Sequence, residues 1–210
     1  MPTLSAKLSW SHYDELLKFD DTNKIEYYIK ICEQQNLSIR QLRTRIKSDE
    51  YERLPESTKR KLMHKDKSNV IDFVKNPIII KNHNNHEIIS EKVLQKLILE
   101  SIESFMKELG SSFSFIGSEY PIKLVSRYNY IDLLLYNIEF NCYVVIELKV
   151  TELKKEHIGQ IQVYMNYIDN NLKKINQEKT IGIIICKQDN QYVIKYCSDN
   201  RIIARVYELI

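Results

Sequence analysis

Three residues with complementary charges lie on two adjacent predicted strands. Asp132 lies in the β-rich run 130–137, and Glu147 and Lys149 lie in the run 142–150. A short polar break separates the two runs, which predicts a hairpin. If Asp132 lies opposite Glu147, the alternation of side chains places all three charged groups on one face. Two carboxylates in a buried sheet are costly when unpaired, and such pairs are usual ligands of hard divalent cations.

The register of this hairpin is predicted by its hydrophobic pattern. With Asp132 opposite Glu147, the other face is wholly apolar and carries Ile131, Leu133, Leu135, Val144, Ile146 and Leu148. A slip of one residue would scatter both the charged and the apolar sets.

The elements around the hairpin predict an α/β domain with the order αβββαβ along the chain. A helix is predicted over 91–109, between a Ser90 cap and Gly110, and a bent strand follows near 113–125. After the hairpin come a helix over 154–172 and closing strands over 180–187, 191–198 and 201–209. Within the helix we expect Gly159 where backbone comes close, with Gln160 and Tyr164 on one face.

The first 85 residues are predicted to be helical, with a linker at their end, and the second domain is predicted over 86–210. The third helix follows Ser38, and its apolar stripe turns Arg40, Arg43 and Lys47 outward. A short turn followed by a helix with an arginine face is similar to a helix-turn-helix arrangement and predicts DNA contact. A solvated charged face is the alternative.

Composition excludes several classes of function. The 210 residues carry a formal net charge of +3, divided as +4 over 1–85 and −1 over 86–210. The four cysteines lack zinc-site spacing, no leader or membrane-length apolar run is present, and we expect a soluble, cytoplasmic protein that does not bind membranes. The sequence contains no phosphate-cradling glycine loop and no nucleophile elbow, which argues against NTPase and triad-hydrolase functions.

The succession of motifs resembles the YhcG-like family of PD-(D/E)XK nucleases. The runs that carry the resemblance are IDLLLY at 131–136, IELK at 146–149, GQIQVY at 159–164 and TIGIIICK at 180–187. LSWSHYDELL at 8–17 is similar to the N-terminal domain of that family, which we expect to be shortened here. The resemblance implies a restriction-endonuclease-like fold and hydrolysis of DNA phosphodiester bonds with Mg²⁺, or with Mn²⁺ in its place.

The resemblance also implies roles for individual residues. Asp132, Glu147 and the Leu148 carbonyl would hold the ion, and Lys149 would orient water or stabilise developing negative charge. Gln160 would position water or phosphate.

One departure from the family pattern supports an alternative function. Gln95 stands where the family carries a Glu, so one carboxylate is missing. The resemblance assigns no role to Tyr164. The alternative is a catalytically impaired nuclease fold that binds DNA or partner proteins of a restriction or defence system. The resemblance further implies a homodimer that cuts both strands.

Overall fold

The computed structural model describes residues 7–64, 70–83, 85–110 and 112–210, and the chain forms two compact units. The units divide between Ser68 and Asn69 and not at the predicted boundary between 85 and 86. The reason is that Val70, Val74 and the strand β1 (Ile78–Ile80) are buried in the core of the second unit. A three-residue strand between polar stretches resembles a linker in sequence, because its burial depends on a distant partner.

The first unit is helical, as predicted. Its helices are α1 (Trp10–Leu16), α2 (Thr22–Gln35), α3 (Ile39–Lys47) and α4 (Glu56–His64). The Asp21 carboxylate caps α2 by accepting hydrogen bonds from two backbone N–H groups, and α2 ends at Asn36 in the left-handed region. Ser38 and Gln41 form the predicted capping box of α3. No described helix is both long enough and apolar enough to cross a membrane.

The second unit is a six-stranded sheet with helices on both faces. After β1 come α5 (Glu91–Glu100), α6 (Ile102–Leu109), β2 (Phe113–Leu124), β3 (Arg127–Asn137), β4 (Cys142–Glu152), α7 (Lys155–Asn171), β5 (Ile181–Gln188), α8 (Gln191–Lys195) and β6 (Ile202–Leu209). The strand order is β1-β6-β5-β4-β3-β2. Neighbouring strands are parallel among β1, β6, β5 and β4, whereas β3 is antiparallel to both β4 and β2. The predicted α/β class and αβββαβ order are confirmed.

Two predicted elements differ from the structure. The stretch 191–198 was expected to be a strand, but it contains the short helix α8, because the Asn190 side chain accepts hydrogen bonds from the N–H groups of Tyr192 and Val193. The single helix predicted over 91–109 is two helices that break at Ser101, whose backbone is not helical (φ −124°, ψ 36°).

A buried layer lies on each face of the sheet. Leu133, Leu135, Val144, Ile146 and Leu148 pack in the layer that includes side chains of α5 and α6. Ile131, which was expected on this face, packs instead in the layer that includes side chains of α7. Ile131 lies beyond Leu133, where the pairing of β3 with β4 ends, in the part of β3 that pairs with β2.

Close approach of helix to sheet occurs at Gly182 and not at Gly159. A Cβ added at Gly182 would lie 2.6 Å from Met165 Sδ and 2.9 Å from Ile161 Cδ1, both on α7. A Cβ added at Gly159 would meet nothing within 4 Å, so the expectation for that residue was wrong. The glycine that lets α7 pack closely therefore lies on β5.

We expect Gly182→Ala to lower the free energy of unfolding by about 1–3 kcal/mol, because the added methyl group overpacks the contact with α7. Gly159→Ala, the matched control, should leave stability unchanged or raise it by up to about 1 kcal/mol, since alanine favours helices. Urea unfolding of both variants measures the difference. A Gly159→Ala variant as unstable as Gly182→Ala would contradict the packing described here.

Candidate active site

The predicted site residues meet where two strands separate. Leu133 and Ile146 form the last cross-strand pair of β3 with β4, and Asp132 and Glu147 are the next residues along each strand. Beyond this point, within the described ranges, β3 pairs only with β2 and β4 pairs only with β5. We call this opening the fork. The Asp132 carboxylate accepts a hydrogen bond from Leu148 N–H at 2.7 Å, which holds the two strands together where the ladder ends.

Glu147 is a buried carboxylate with incomplete hydrogen bonding. Its side chain is 1% exposed, and its Oε2 lies 3.3 Å from Lys149 Nζ. Its other oxygen, Oε1, is buried and has no hydrogen-bond partner among the described residues. Burial and the negative charge of Asp132 raise the pKa of Glu147 to about 8, against the opposing effect of Lys149. Unpaired buried acceptors are rare and costly, so we expect this oxygen to bind a ligand or an ion.

Asp132 shares this electrostatic setting. Burial raises the pKa of the Asp132 carboxyl, while its hydrogen bond from Leu148 N–H and the charge of Lys149 act in the opposite direction. Each of the two carboxylates disfavours the ionisation of the other, and a bound cation would relieve this repulsion.

Lys149 bridges two carboxylates on different elements. Its Nζ lies 3.3 Å from Glu147 Oε2 and 3.5 Å from Oε2 of Glu91, in the first turn of α5. Burial lowers the pKa of the Lys149 ammonium, but the neighbouring carboxylates, chiefly Glu147 and Glu91, outweigh it and raise the pKa above its ordinary value. Lys149 is therefore a charged hydrogen-bond donor at neutral pH.

Gln95 supports the backbone of the fork. It is a buried residue of α5, and its Nε2 donates a hydrogen bond to the Asp132 carbonyl at 3.0 Å. A glutamate here could not donate that hydrogen bond when ionised. Gln95 therefore holds the backbone of Asp132 in place.

The oxygen donors at the fork fit a hard divalent cation. Asp132 and Glu147 supply carboxylates, the Leu148 carbonyl follows Glu147 directly, and Glu147 Oε1 lacks a partner within the described part of the chain. Ligands of this kind suit Mg²⁺ or Mn²⁺ better than softer metals. Across the described ranges, no group of three or more His, Cys, Asp or Glu side chains has metal-binding geometry, so a cation here would depend on this two-carboxylate set.

Two family models together match most of the chain. Residues 71–209 match the YhcG PDDEXK nuclease domain, and residues 1–53 match the DUF1016 N-terminal domain. The chain belongs to the YhcG PDDEXK nuclease family. The YhcG protein of Escherichia coli (strain K12) is 24% identical over 99% of this chain, which spans 58% of the length of that relative.

Solved structures show weaker similarity. A repair endonuclease from Pyrococcus abyssi has a TM-score of 0.40 at 20% identity, covering 60% of this chain and 49% of its own. EndoMS bound to double-stranded DNA has a TM-score of 0.39 at 15% identity, covering 61% of this chain and 48% of its own. The assignment to the YhcG family rests on the family models and not on these likenesses.

The remaining predicted site residues of this YhcG-family chain lie on α7. Gln160 Nε2 donates a hydrogen bond at 3.1 Å to the hydroxyl of Tyr164, one helical turn further along. Burial raises the pKa of the buried Tyr164 hydroxyl, and the charges of Glu147 and Asp132 act in the same direction. Tyr164 thus lies within electrostatic reach of the carboxylates, and Gln160 contacts it directly.

Two residues at this site were not singled out from sequence. Glu91 contacts Lys149 from one turn before Gln95, so α5 brings a carboxylate to the site although Gln95 itself is not acidic. His157, at the start of α7, accepts a hydrogen bond from Lys154 N–H, and burial and the charge of Lys149 lower its pKa. The four-residue spacing of Glu91 and Gln95 places both on one face of a helix, and this spacing could have predicted that Glu91 lies at the site.

The residues proposed for DNA contact lie on α3 of the first unit. Arg40 and Lys47 are exposed. Arg43 is also exposed, but it forms a salt bridge with Glu15 at 2.6 Å. Arg45, which was not predicted to act, forms a salt bridge with the buried Glu50 and is structural. The cations of α3 therefore differ in how freely they could meet phosphates.

Proposed function

We propose that this chain is a metal-dependent nuclease that hydrolyses phosphodiester bonds in DNA. The observation that carries the proposal is the buried Glu147 carboxylate, which lies beside Asp132 with one oxygen unpaired. A purely structural role would leave this arrangement costly, because the two carboxylates destabilise each other and, among the described residues, only Glu147 has an ammonium at contact distance.

Asp132, Glu147 and the Leu148 carbonyl would hold the ion in this proposal. A bound divalent cation would neutralise phosphate oxygens and lower the pKa of water. Asp132 is positioned for this role from two sides, by Leu148 N–H and by Gln95. Gln95 thus acts as a positioning residue, and its difference from the family pattern need not remove activity.

Lys149 would stabilise the negative charge that develops on the phosphate. Its raised pKa keeps it protonated at neutral pH, so it donates hydrogen bonds and does not serve as the proton acceptor. Glu91 holds the ammonium from the α5 side while Glu147 holds it from β4. The ammonium of Lys149 is therefore held between two carboxylates, one on α5 and one on β4.

The α7 side chains would contact the substrate from the other side of the fork. Gln160 can donate one amide hydrogen to Tyr164 and offer the other to water or phosphate. His157 Nδ1 accepts a backbone hydrogen bond, which leaves Nε2–H as a donor in the neutral ring. We therefore assign Gln160 and His157 to substrate or water positioning, with Tyr164 as the support of Gln160.

The direct test is cleavage by the purified full chain. Linear, supercoiled and branched DNA, together with RNA, should be incubated with Mg²⁺, with Mn²⁺ and with EDTA. We expect cleavage of at least one DNA substrate with either ion and none with EDTA. DNA binding without cleavage of any substrate would instead support the alternative, an impaired nuclease fold that acts as a binding module, which the loss of the family's Glu at Gln95 favours.

The contribution of α3 to DNA binding has its own prediction. Arg40→Ala combined with Lys47→Ala should reduce the log–log salt dependence of DNA affinity by about two units, because each phosphate contact contributes about 0.9. Arg43→Ala should have a smaller effect, since Arg43 is held by Glu15. Lys30→Ala, an exposed cation on α2, is the matched control. An unchanged slope in the double variant would show that this face of α3 is a solvated surface that does not contact DNA.

The remaining parts of the proposal concern assembly and location. A homodimer would place two forks on one duplex so that both strands are cut, and sedimentation of the chain with and without DNA tests this. Partner proteins of a restriction or defence system would bind the chain together with DNA and not in place of DNA. A cytoplasmic location fits the DNA substrate and the free thiols, three of them buried.

A further inference from the structure

A two-stranded arm extends from the sheet beside the fork. β2 and β3 remain paired from Tyr120↔Ile131 to Leu124↔Arg127, whereas β4 leaves β3 after Leu133. We call residues 120–131 the arm. The six residues 127–132 of β3 continue beyond the last β4 pair for roughly 20 Å at the usual rise of a strand. The arm thus begins directly at Asp132.

The two faces of the arm have different environments. Ile122 is fully buried, and together with Ile131 and Leu124 it packs in the layer beneath α7. The other face carries Lys123, Tyr128 and Tyr130, and the two tyrosines are 62% and 56% exposed. Lys123 pairs with Tyr128 across the strands, and its Nζ lies 6.0 Å from the centre of that ring. The inner face anchors the arm, which leaves the outer face free for a ligand.

The outer face has the chemistry of a nucleic-acid contact. The arm contains Lys123 and Arg127 and no Asp or Glu, and Glu119 lies just before it, at the end near the site. Lys123 on the outer face is exposed, Arg127 is exposed where it pairs with Leu124 of the inner face, and Val125 at the turn is 97% exposed. Aromatic rings stack on bases and basic side chains neutralise phosphates, and the two together characterise surfaces that bind single strands.

The spacing of the tyrosines favours unpaired bases. Tyr128 and Tyr130 are two residues apart on one strand face, so their Cα atoms are about 7 Å apart. That is about twice the 3.4 Å rise between stacked bases, which leaves room for one base between two rings. A base inside an intact duplex is already stacked on both sides and could not enter without being unstacked.

We propose that the outer face of the arm binds unpaired bases of the DNA substrate next to the phosphate that is cut. The substrate class is then single-stranded DNA or duplex DNA with an unpaired segment, such as a flap or a bulge. This inference rests on the proposed function for the position of the cut, and it adds the substrate class.

The test compares DNA binding by two double variants of the full chain in EDTA. Tyr128→Ala with Tyr130→Ala should weaken binding of a single-stranded or flap oligonucleotide about 10- to 100-fold, because stacking contributes about 1–3 kcal/mol per base. Affinity for a fully paired duplex of the same sequence should change less than about threefold. Tyr128→Phe with Tyr130→Phe keeps both rings and should bind like the wild type.

Two controls separate stacking from damage to the fold. Tyr192→Ala with Tyr196→Ala removes exposed tyrosines at α8, 76% and 78% exposed, and should not change binding. The fluorescence of a 2-aminopurine base in the unpaired segment should be quenched by the wild type and the Phe variant but not by the Ala variant. Equal losses on single strand and duplex, no loss at all, or a Phe variant as weak as the Ala variant would overturn the proposal.

The outcomes also separate this inference from the proposed nuclease function. Binding in EDTA requires no cleavage, so a tyrosine-dependent preference for unpaired bases would support the arm even if no substrate is cut. Metal-dependent cleavage by the wild type, together with an Ala variant that keeps its single-strand affinity, would support the nuclease function. It would overturn the proposal that the arm binds unpaired bases.

Discussion

Asp132→Asn should reduce DNA cleavage by about 100-fold or more while the fold is retained. The change removes one of two negative charges proposed to hold a divalent cation, and an ion that stabilises transition-state charge by several kcal/mol accounts for a loss of this size. The asparagine keeps an oxygen that can accept the hydrogen bond from Leu148 N–H. Initial rates of plasmid nicking at saturating Mg²⁺ measure the effect.

Melting temperatures in EDTA distinguish this role from a structural one. If Asp132 is a metal ligand, the Asn variant should be as stable as the wild type or more stable, because its repulsion with Glu147 is relieved. If Asp132 is a structural partner of Lys149, the variant should melt lower and nick DNA at the normal rate. Glu139→Gln, an exposed change at the opposite end of the same hairpin, is the control for both measurements.

Glu147→Gln should change how stability depends on pH. The pKa of Glu147 is about 8 in the folded chain against an ordinary value of 4.5. Between these values the folded chain holds a proton that the unfolded chain has lost, so the stability of the wild type falls as pH rises. The loss is complete above about pH 8 and is on the order of 5 kcal/mol, at about 1.4 kcal/mol per pKa unit.

Urea unfolding in EDTA from pH 5 to pH 8.5 tests this prediction. The Gln variant has no proton to lose there, so its unfolding free energy should change less over the range and exceed that of the wild type at the alkaline end. A divalent cation should recover part of the difference for the wild type at pH 8.5, because it binds the ionised carboxylate. Parallel pH profiles for the two proteins would show that Glu147 ionises normally and would remove the electrostatic argument for the site.

The sequence was informative where local pattern and site chemistry coincide. The alternation of Leu133, Leu135, Val144 and Ile146 fixes the hairpin register, since a slip by one residue would bury charge. That register brings Asp132 next to Glu147. The capping box of α3 and the end of α6 at Gly110 depend on neighbouring residues in the same way and agree with the structure.

The features that sequence did not predict depend on residues far apart in the chain. The fork exists because β2 holds β3 while β5 holds β4, and no single segment encodes that separation. Ile131, which packs in the layer that includes side chains of α7, lies in the separated part of β3. Glu91 reaches Lys149 across 58 positions of the chain, and on its own it resembles an ordinary acidic first turn of a helix. Burial of β1 likewise depends on its pairing with β6, at the far end of the sequence.

Calorimetric titration of Mn²⁺ into the metal-free chain at pH 7 tests the central claim without knowledge of the substrate. We predict saturable binding of about one ion per chain, with release of about one proton, because the Glu147 carboxyl is largely protonated at that pH in the absence of metal. Repeating the titration in buffers with different ionisation enthalpies gives the proton count, and the Asp132→Asn variant should lose saturable binding. A wild type that binds no Mn²⁺, or an Asp132→Asn variant that binds it equally well, would contradict a divalent-cation site at the fork.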